Sequence, residues 1–128
     1  MILLDANVLI GILDASDAHH EAALQVVKEN EASNFCSSAL TIAEALIYPT
    51  RAGLQREALT ALDDLGISIR PALIDDPGLT AELRVRYGLL LADAVVLHEA
   101  ITTDAQLATF DAGLARAARK AGVPLVGA

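Results

Sequence analysis

Short apolar runs alternate with longer amphipathic stretches along this chain. Ile2-Leu3-Leu4 is continuous and apolar, the pattern of a strand buried on both faces. Asn7 to Leu13 then reads as a brief helix. Asp17 is placed to cap a second helix from Ala18 to about Asn30, with Ala22, Ala23, Val26 and Val27 on one side. A strand is predicted at Asn34 to Ser37, a helix from Ala39 to Arg51 ending before Gly53, and another from Leu54 to Leu65 ending at Gly66.

Ile67-Ser68-Ile69 reads as the third strand. Pro71 and the Asp75-Asp76-Pro77-Gly78 segment carry turn chemistry, with Asp75 or Asp76 able to cap a helix that runs to Tyr87 and halts at Gly88. A helix is expected from about Asp93 to Thr102, a fourth strand at Leu107-Ala108-Thr109, and a helix from Asp111 to Lys120 stopped by Gly122. Val123-Pro124-Leu125-Val126 is the fifth predicted strand, placed at an edge because Pro124 has no N–H to donate to a ladder. Strands alternating with helices predict an α/β fold with a central, mostly parallel sheet of about five strands between helical layers. Ligands of such sheets gather beyond the carboxyl ends of the strands.

Composition narrows the class. The 128 residues suffice for one domain with its own core, and no apolar run approaches the ~20 residues that span a bilayer. The apolar start lacks a basic leader and stops at Asp5, which argues against a signal peptide. Cys36 is the one cysteine, so no internal disulfide forms, and a cytoplasmic setting is expected. It reads as a small core residue.

Four acids stand near predicted strand–helix boundaries: Asp5, Glu44, Asp93 and Asp111. Two ionised carboxylates ~4 Å apart repel by about 4 kcal/mol at an effective dielectric of ~20. A fold that gathers several of them holds a divalent cation or keeps some of them protonated. All-oxygen donors without thiolate or imidazole favour Mg²⁺ or Mn²⁺ over zinc. An acidic metal site that handles phosphate is the leading expectation.

Each acid also has a plainer reading. Asp5, Asp93 and Asp111 are each suited to capping the helix that follows. Thr41-Ile42-Ala43-Glu44 matches a capping box, although a glutamate buried in so apolar a stretch would need a cation or a donor. Asp104 competes with Asp111 for the fourth place. His19-His20 reads as part of an exposed helix face, and His98 as a structural helical histidine. Neither a Gly-x-Ser-x-Gly elbow nor a P-loop is present.

Taken in order, Met1-Ile2-Leu3-Leu4-Asp5-Ala6-Asn7-Val8-Leu9, Ser38-Ala39-Leu40-Thr41-Ile42-Ala43-Glu44, Leu91-Ala92-Asp93-Ala94 and Ala108-Thr109-Phe110-Asp111-Ala112-Gly113-Leu114-Ala115 resemble the PIN-domain family, and within it the VapC-type toxins of toxin–antitoxin pairs. The resemblance covers nearly the whole chain and implies a single PIN-like domain over residues 1–128. It implies a ribonuclease in which Asp5, Glu44, Asp93 and Asp111 bind Mg²⁺ or Mn²⁺, with Asn7 and Thr109 in supporting positions. A metal-activated water would hydrolyse RNA phosphodiester bonds. It further implies a homodimer, inhibited by a cognate antitoxin.

The charge sits uneasily with an RNA substrate, because 17 acids against 9 bases leave a net −8. The bases cluster as Arg51 and Arg56, Arg84 and Arg86, and Arg116, Arg119 and Lys120, local rims that could hold a phosphate backbone. Two other classes compete. A catalytically silent PIN-like module would keep the fold and bind a partner protein. A receiver-type domain would need paired acids after the first strand and a late lysine at a strand end, whereas Asp5 has Asn7 beside it and the lysines are Lys28 and Lys120. A haloacid-dehalogenase-like phosphatase would need a second acid at Asn7.

Overall fold

The computed structural model describes residues 1–71 and 74–126. Four strands form one parallel sheet: β1 (Ile2–Leu4), β2 (Phe35–Ser38), β3 (Ile67–Arg70) and β4 (Gln106–Ala108), in the spatial order β3-β2-β1-β4. Leu3 stands opposite Cys36 on one side and Leu107 on the other. Side chains alternate across a strand, so Leu3 faces one layer while Ile2 and Leu4 face the other.

That alternation divides the core in two. On one face Leu3, Cys36 and Leu107 pack with Leu97, Leu114 and their neighbours. These come from α6 (Pro77–Tyr87), α7 (Leu91–Thr103) and α8 (Ala112–Lys120). On the other face Ile2, Leu4, Phe35 and Ile67 pack with Leu9, Ile42 and Leu62. That layer contains α1 (Ala6–Leu13), α2 (His20–Glu29), α3 (Ala39–Ala45), α4 (Ile47–Arg51) and α5 (Gln55–Asp64). The result is the predicted α/β sandwich of helices, sheet and helices.

Two expectations are corrected. The fifth strand shrinks to a single parallel bridge between Leu107 and Leu125. Leu107 donates to the Pro124 carbonyl at 2.9 Å and Val126 donates back to Leu107 at 2.9 Å. With no N–H on Pro124 the ladder extends no further in that direction. The helix expected from Ala39 to Arg51 is broken at Leu46 into α3 and α4. Pro49 lies in the first turn of α4, and its ring excludes the carbonyl of Ala45, four residues back, from a continuous helix.

Turn chemistry is as expected at the ends of α6. Asp76 caps its start by accepting from Leu79 N at 3.1 Å, ahead of Pro77. Gly88 ends it in the left-handed region at φ 63°. Asp17 does not cap α2 as predicted: α2 begins later, at His20, behind His19, and the Asp17 carboxylate instead accepts from His19 N at 3.0 Å in the turn before the helix.

The strand order has one further consequence. The chain steps outward from β1 through β2 to β3, then crosses back to lay β4 on the free side of β1. Connections therefore diverge between β1 and β4, leaving a crevice at their carboxyl ends. Asp5 and Thr109 are the residues that follow those two ends.

Candidate functional site

Asp5 leaves β1 and caps α1. Its Oδ1 accepts from Ala6 N at 2.8 Å and its Oδ2 from the Thr109 hydroxyl at 2.7 Å. The residue is only 5% exposed. Burial pushes its pKa above the ordinary 3.8, opposed by the bonds from Thr109 and Ala6 and reinforced by the charge of Asp111.

Thr109 is the hub of the crevice. Besides donating to Asp5, its Oγ1 accepts from Asp111 N at 3.0 Å and lies 3.4 Å from Asn7 Nδ2. The Asn7 side-chain oxygen Oδ1 in turn accepts from Phe110 N at 3.1 Å. Asn7 and Thr109 thus clamp the first turn of α1 to the segment leaving β4. Asp111 caps α8, accepting from Gly113 N at 3.2 Å and Leu114 N at 3.3 Å.

Asp93 lies in the first turn of α7, whose N-cap is Leu90. Its pKa is raised from 3.8 to about 6, chiefly by burial and then by the charges of Asp5, Asp111 and Glu44. Acids far apart in sequence therefore share one electrostatic neighbourhood, as only the fold can arrange.

Glu44 departs from its expected setting. It lies near the end of α3 and is exposed, so it marks no strand–helix boundary and is not buried. The cap of α3 is Ser38, whose hydroxyl accepts from Thr41 N at 3.3 Å, and no Thr41–Glu44 capping box forms. Glu44 stands at the lip of an apolar groove of ≈ 630 Å³ lined by Ile10, Ile47, Tyr48 and Leu54 among others. Asp104 ends α7 in the left-handed region at φ 54°. It precedes β4 at the amino end of the β1–β4 pair, where Gln106 N bonds to Met1 O, the end opposite the crevice. The crevice therefore holds Asp111 and not Asp104.

The donor chemistry suits a hard divalent cation, because these are carboxylate oxygens whose mutual repulsion a cation would relieve. As placed, no three acidic, histidine or cysteine side chains among the described residues are arranged to hold one.

Some residues carried no signal in the sequence. Glu99 lies on α7 and is buried, its pKa raised by burial against opposing contributions from Ser38 and Arg70. Nothing in the linear pattern set it apart from a surface helical glutamate. His98 is fully buried, with Nδ1 2.7 Å from the Thr80 hydroxyl, so it faces α6 and serves the core. His19 stacks on Phe110 with ring centroids 4.6 Å apart and planes 12° from parallel. That contact joins positions 91 residues apart and was invisible in sequence.

No described helix is long and apolar enough to cross a membrane. No curated protein matches the sequence significantly. Solved structures do match its fold. A Mycobacterium tuberculosis toxin, VapC20, which cleaves the sarcin–ricin loop, superposes with a TM-score of 0.73 at 18% identity, over 91% of this chain and 95% of that one. A toxin–antitoxin complex from Klebsiella pneumoniae gives 0.69 at 25% identity, covering 87% of each chain. VapBC2 from Rickettsia felis, bound to a DNA fragment of its promoter, gives 0.67 at 19% identity over 98% and 97%. The PIN-domain model matches residues 2–120, nearly the whole of the described fold, and the chain belongs to the PIN-domain family.

Proposed function

We propose that this protein is a metal-dependent endoribonuclease and the toxin of a type II toxin–antitoxin pair. The observation that carries the reading is Asp93, held at about 6 by burial and by the facing charges of Asp5, Asp111 and Glu44. Perturbed carboxylates gathered in a crevice mark functional sites more often than structural ones. Family membership and the toxin structures of like fold support the same activity.

Asp5 and Asp93 would hold Mg²⁺ or Mn²⁺ directly, with Glu44 and Asp111 completing the set directly or through water. A cation bound there supplies an activated water and offsets charge building on the phosphoryl oxygens. The chain contributes position. Thr109 keeps one Asp5 oxygen engaged, Ala6 N engages the other, and Asn7 fixes the backbone of Phe110 beside Asp111. The substrate is RNA, and the protein acts as a cytoplasmic homodimer.

The cognate antitoxin would occupy the apolar groove beside Glu44. Ile47, Tyr48 and Leu54 lie exposed there, at 51%, 71% and 51%, an apolar surface suited to a partner segment. The Klebsiella and Rickettsia structures of like fold are both toxin–antitoxin assemblies.

The test is incubation of total cellular RNA with antitoxin-free protein and Mn²⁺ or Mg²⁺. Discrete fragments that disappear with chelator and in Asp93→Asn are the expected result. A folded wild type that leaves RNA intact under all conditions would instead favour the silent interaction module.

A further inference from the structure

An acidic protein needs some means other than net charge to hold RNA. With a formal charge of −8, long-range electrostatics oppose the approach of a polyanion. Stacking between bases and aromatic rings is independent of charge and tolerant of sequence. The chain has few aromatic rings: two Phe, two Tyr and no Trp. Phe35 is buried in the core, Tyr87 packs partly buried at the end of α6 against the core, and Tyr48 lines the groove between α1 and α5. Phe110 stands next to Asp111 and stacks on His19.

We propose that the His19–Phe110 pair is a nucleobase platform at the rim of the acidic crevice, on which an unpaired RNA base stacks while the neighbouring phosphate reaches the carboxylates. This deepens the ribonuclease reading and rests on it. Phe110 is held in register with the crevice by its N–H bond to Asn7, and Asn7 is linked through Thr109 to Asp5. One face of His19 lies against Phe110, and 53% of the side chain is exposed, leaving ring surface for a base.

The position of His19 is built. Asp17 accepts its N–H at 3.0 Å, the ring of His20 contacts the Gly11 carbonyl at 2.6 Å, and the His19 carbonyl accepts from Ala23 N at 2.8 Å. Gly11 lets this turn approach α1, since a Cβ there would come within 3.1 Å of the His19 carbonyl oxygen. A histidine needed only to shield Phe110 would serve equally if replaced by any apolar side chain. A platform requires a flat ring, and that difference is measurable.

The experiment measures binding of octa-adenylate, octa-cytidylate, octa-uridylate and an abasic ribose-phosphate octamer, with Mg²⁺, in an Asp93→Asn background that leaves RNA intact. His19→Ala should weaken binding of the base-bearing octamers roughly ten-fold and leave the abasic octamer unchanged. His19→Trp should restore binding and, as the sole tryptophan, show fluorescence quenching by the base-bearing octamers alone. His19→Leu should not rescue, though it fills the same space. The platform is overturned if His19→Ala binds base-bearing octamers like its parent, if the abasic octamer is affected equally, if leucine rescues as well as tryptophan, or if the parent binds no octamer. Failure of the enzymatic reading is separate: wild type would leave cellular RNA uncut with Mn²⁺ or Mg²⁺, whatever His19 does to binding.

Discussion

The Thr109 hydroxyl donates to Asp5 Oδ2 at 2.7 Å, tying the segment that leaves β4 to the residue that leaves β1. The bond crosses the point where the sheet's connections diverge, 104 residues apart in sequence. The same oxygen accepts from Asp111 N, so two acids of the crevice are set by one side chain.

Replacing that hydroxyl should therefore do more than remove one contact. Thr109→Val keeps the shape but leaves Asp5 short of a donor and Asp111 N short of an acceptor. Stability should fall by about 1–3 kcal/mol, the cost of unmet buried polar groups. RNA cleavage should fall with it, while Thr109→Ser stays near wild type in both. Urea denaturation and a cleavage time course on all three proteins check this, and an unchanged Thr109→Val would show that the hub is dispensable.

Asp93→Asn should separate stability from activity. Neutralising Asp93 relieves its repulsion from Asp5, Asp111 and Glu44, so the metal-free variant should melt at or above the wild-type temperature while cleavage is lost. Thermal melts in chelator, paired with the RNA assay, read both. A variant that fails to fold would point to a structural role for the carboxylate.

The pH dependence of stability follows from the sign of the same shift. A carboxyl whose folded pKa lies above its unfolded value binds its proton more tightly when folded. Its stabilising contribution is complete below the unfolded value of 3.8 and is lost as pH rises through about 6. Asp5, also raised, acts in the same direction. Metal-free stability should thus decline across that window, and Asp93→Asn should flatten the decline. Added Mn²⁺ should raise stability most above pH 6, where the carboxylates are ionised and the ion binds only the folded form. Melting curves at several pH values, with and without Mn²⁺, give the slopes.

Gly11 is required for close packing of α1 against the turn into α2. A Cβ at that position would meet Ala23 Cβ at 2.9 Å and the His19 carbonyl oxygen at 3.1 Å. Gly11→Ala gains helix propensity but must push the turn away, for a net loss of about 1–3 kcal/mol. The displacement should also loosen the His19–Phe110 stack, visible as shifted aromatic resonances by NMR. A variant as stable as wild type with unchanged aromatic shifts would mean the turn yields freely.

How much of this was legible beforehand depends on the kind of signal. β1 was readable because Ile2-Leu3-Leu4 is buried on both faces and so is apolar throughout, whereas β2, β3 and β4 mix polar positions into their short runs and were read from their apolar residues between turns. The helix ends were readable because Gly53, Gly66, Gly88 and Gly122 all adopt positive φ, which other residues adopt at a cost. The fifth strand was over-read, since Val123 to Val126 has strand composition but offers only a bridge's worth of partners. The break at Leu46 was missed because the apolar pattern runs on through Pro49, while the steric effect of a proline falls a turn upstream.

For the site, local chemistry marked Asp5, Glu44, Asp93 and Asp111 as acids in apolar or capping surroundings, although Glu44 proved exposed and its side chain took part in no cap. Sequence alone determined which residues could serve, because residue type, periodicity and turn chemistry are local properties. Tertiary structure decided which of them meet. The strand order placed β4 beside β1, and that single topological choice brought Thr109 to Asp5, set Asp111 in the crevice and left Asp104 at the opposite end of β4. It also buried Glu99 and stacked His19 on Phe110. Such contacts join segments far apart in the chain, and their energies depend on distance and burial that no local pattern encodes.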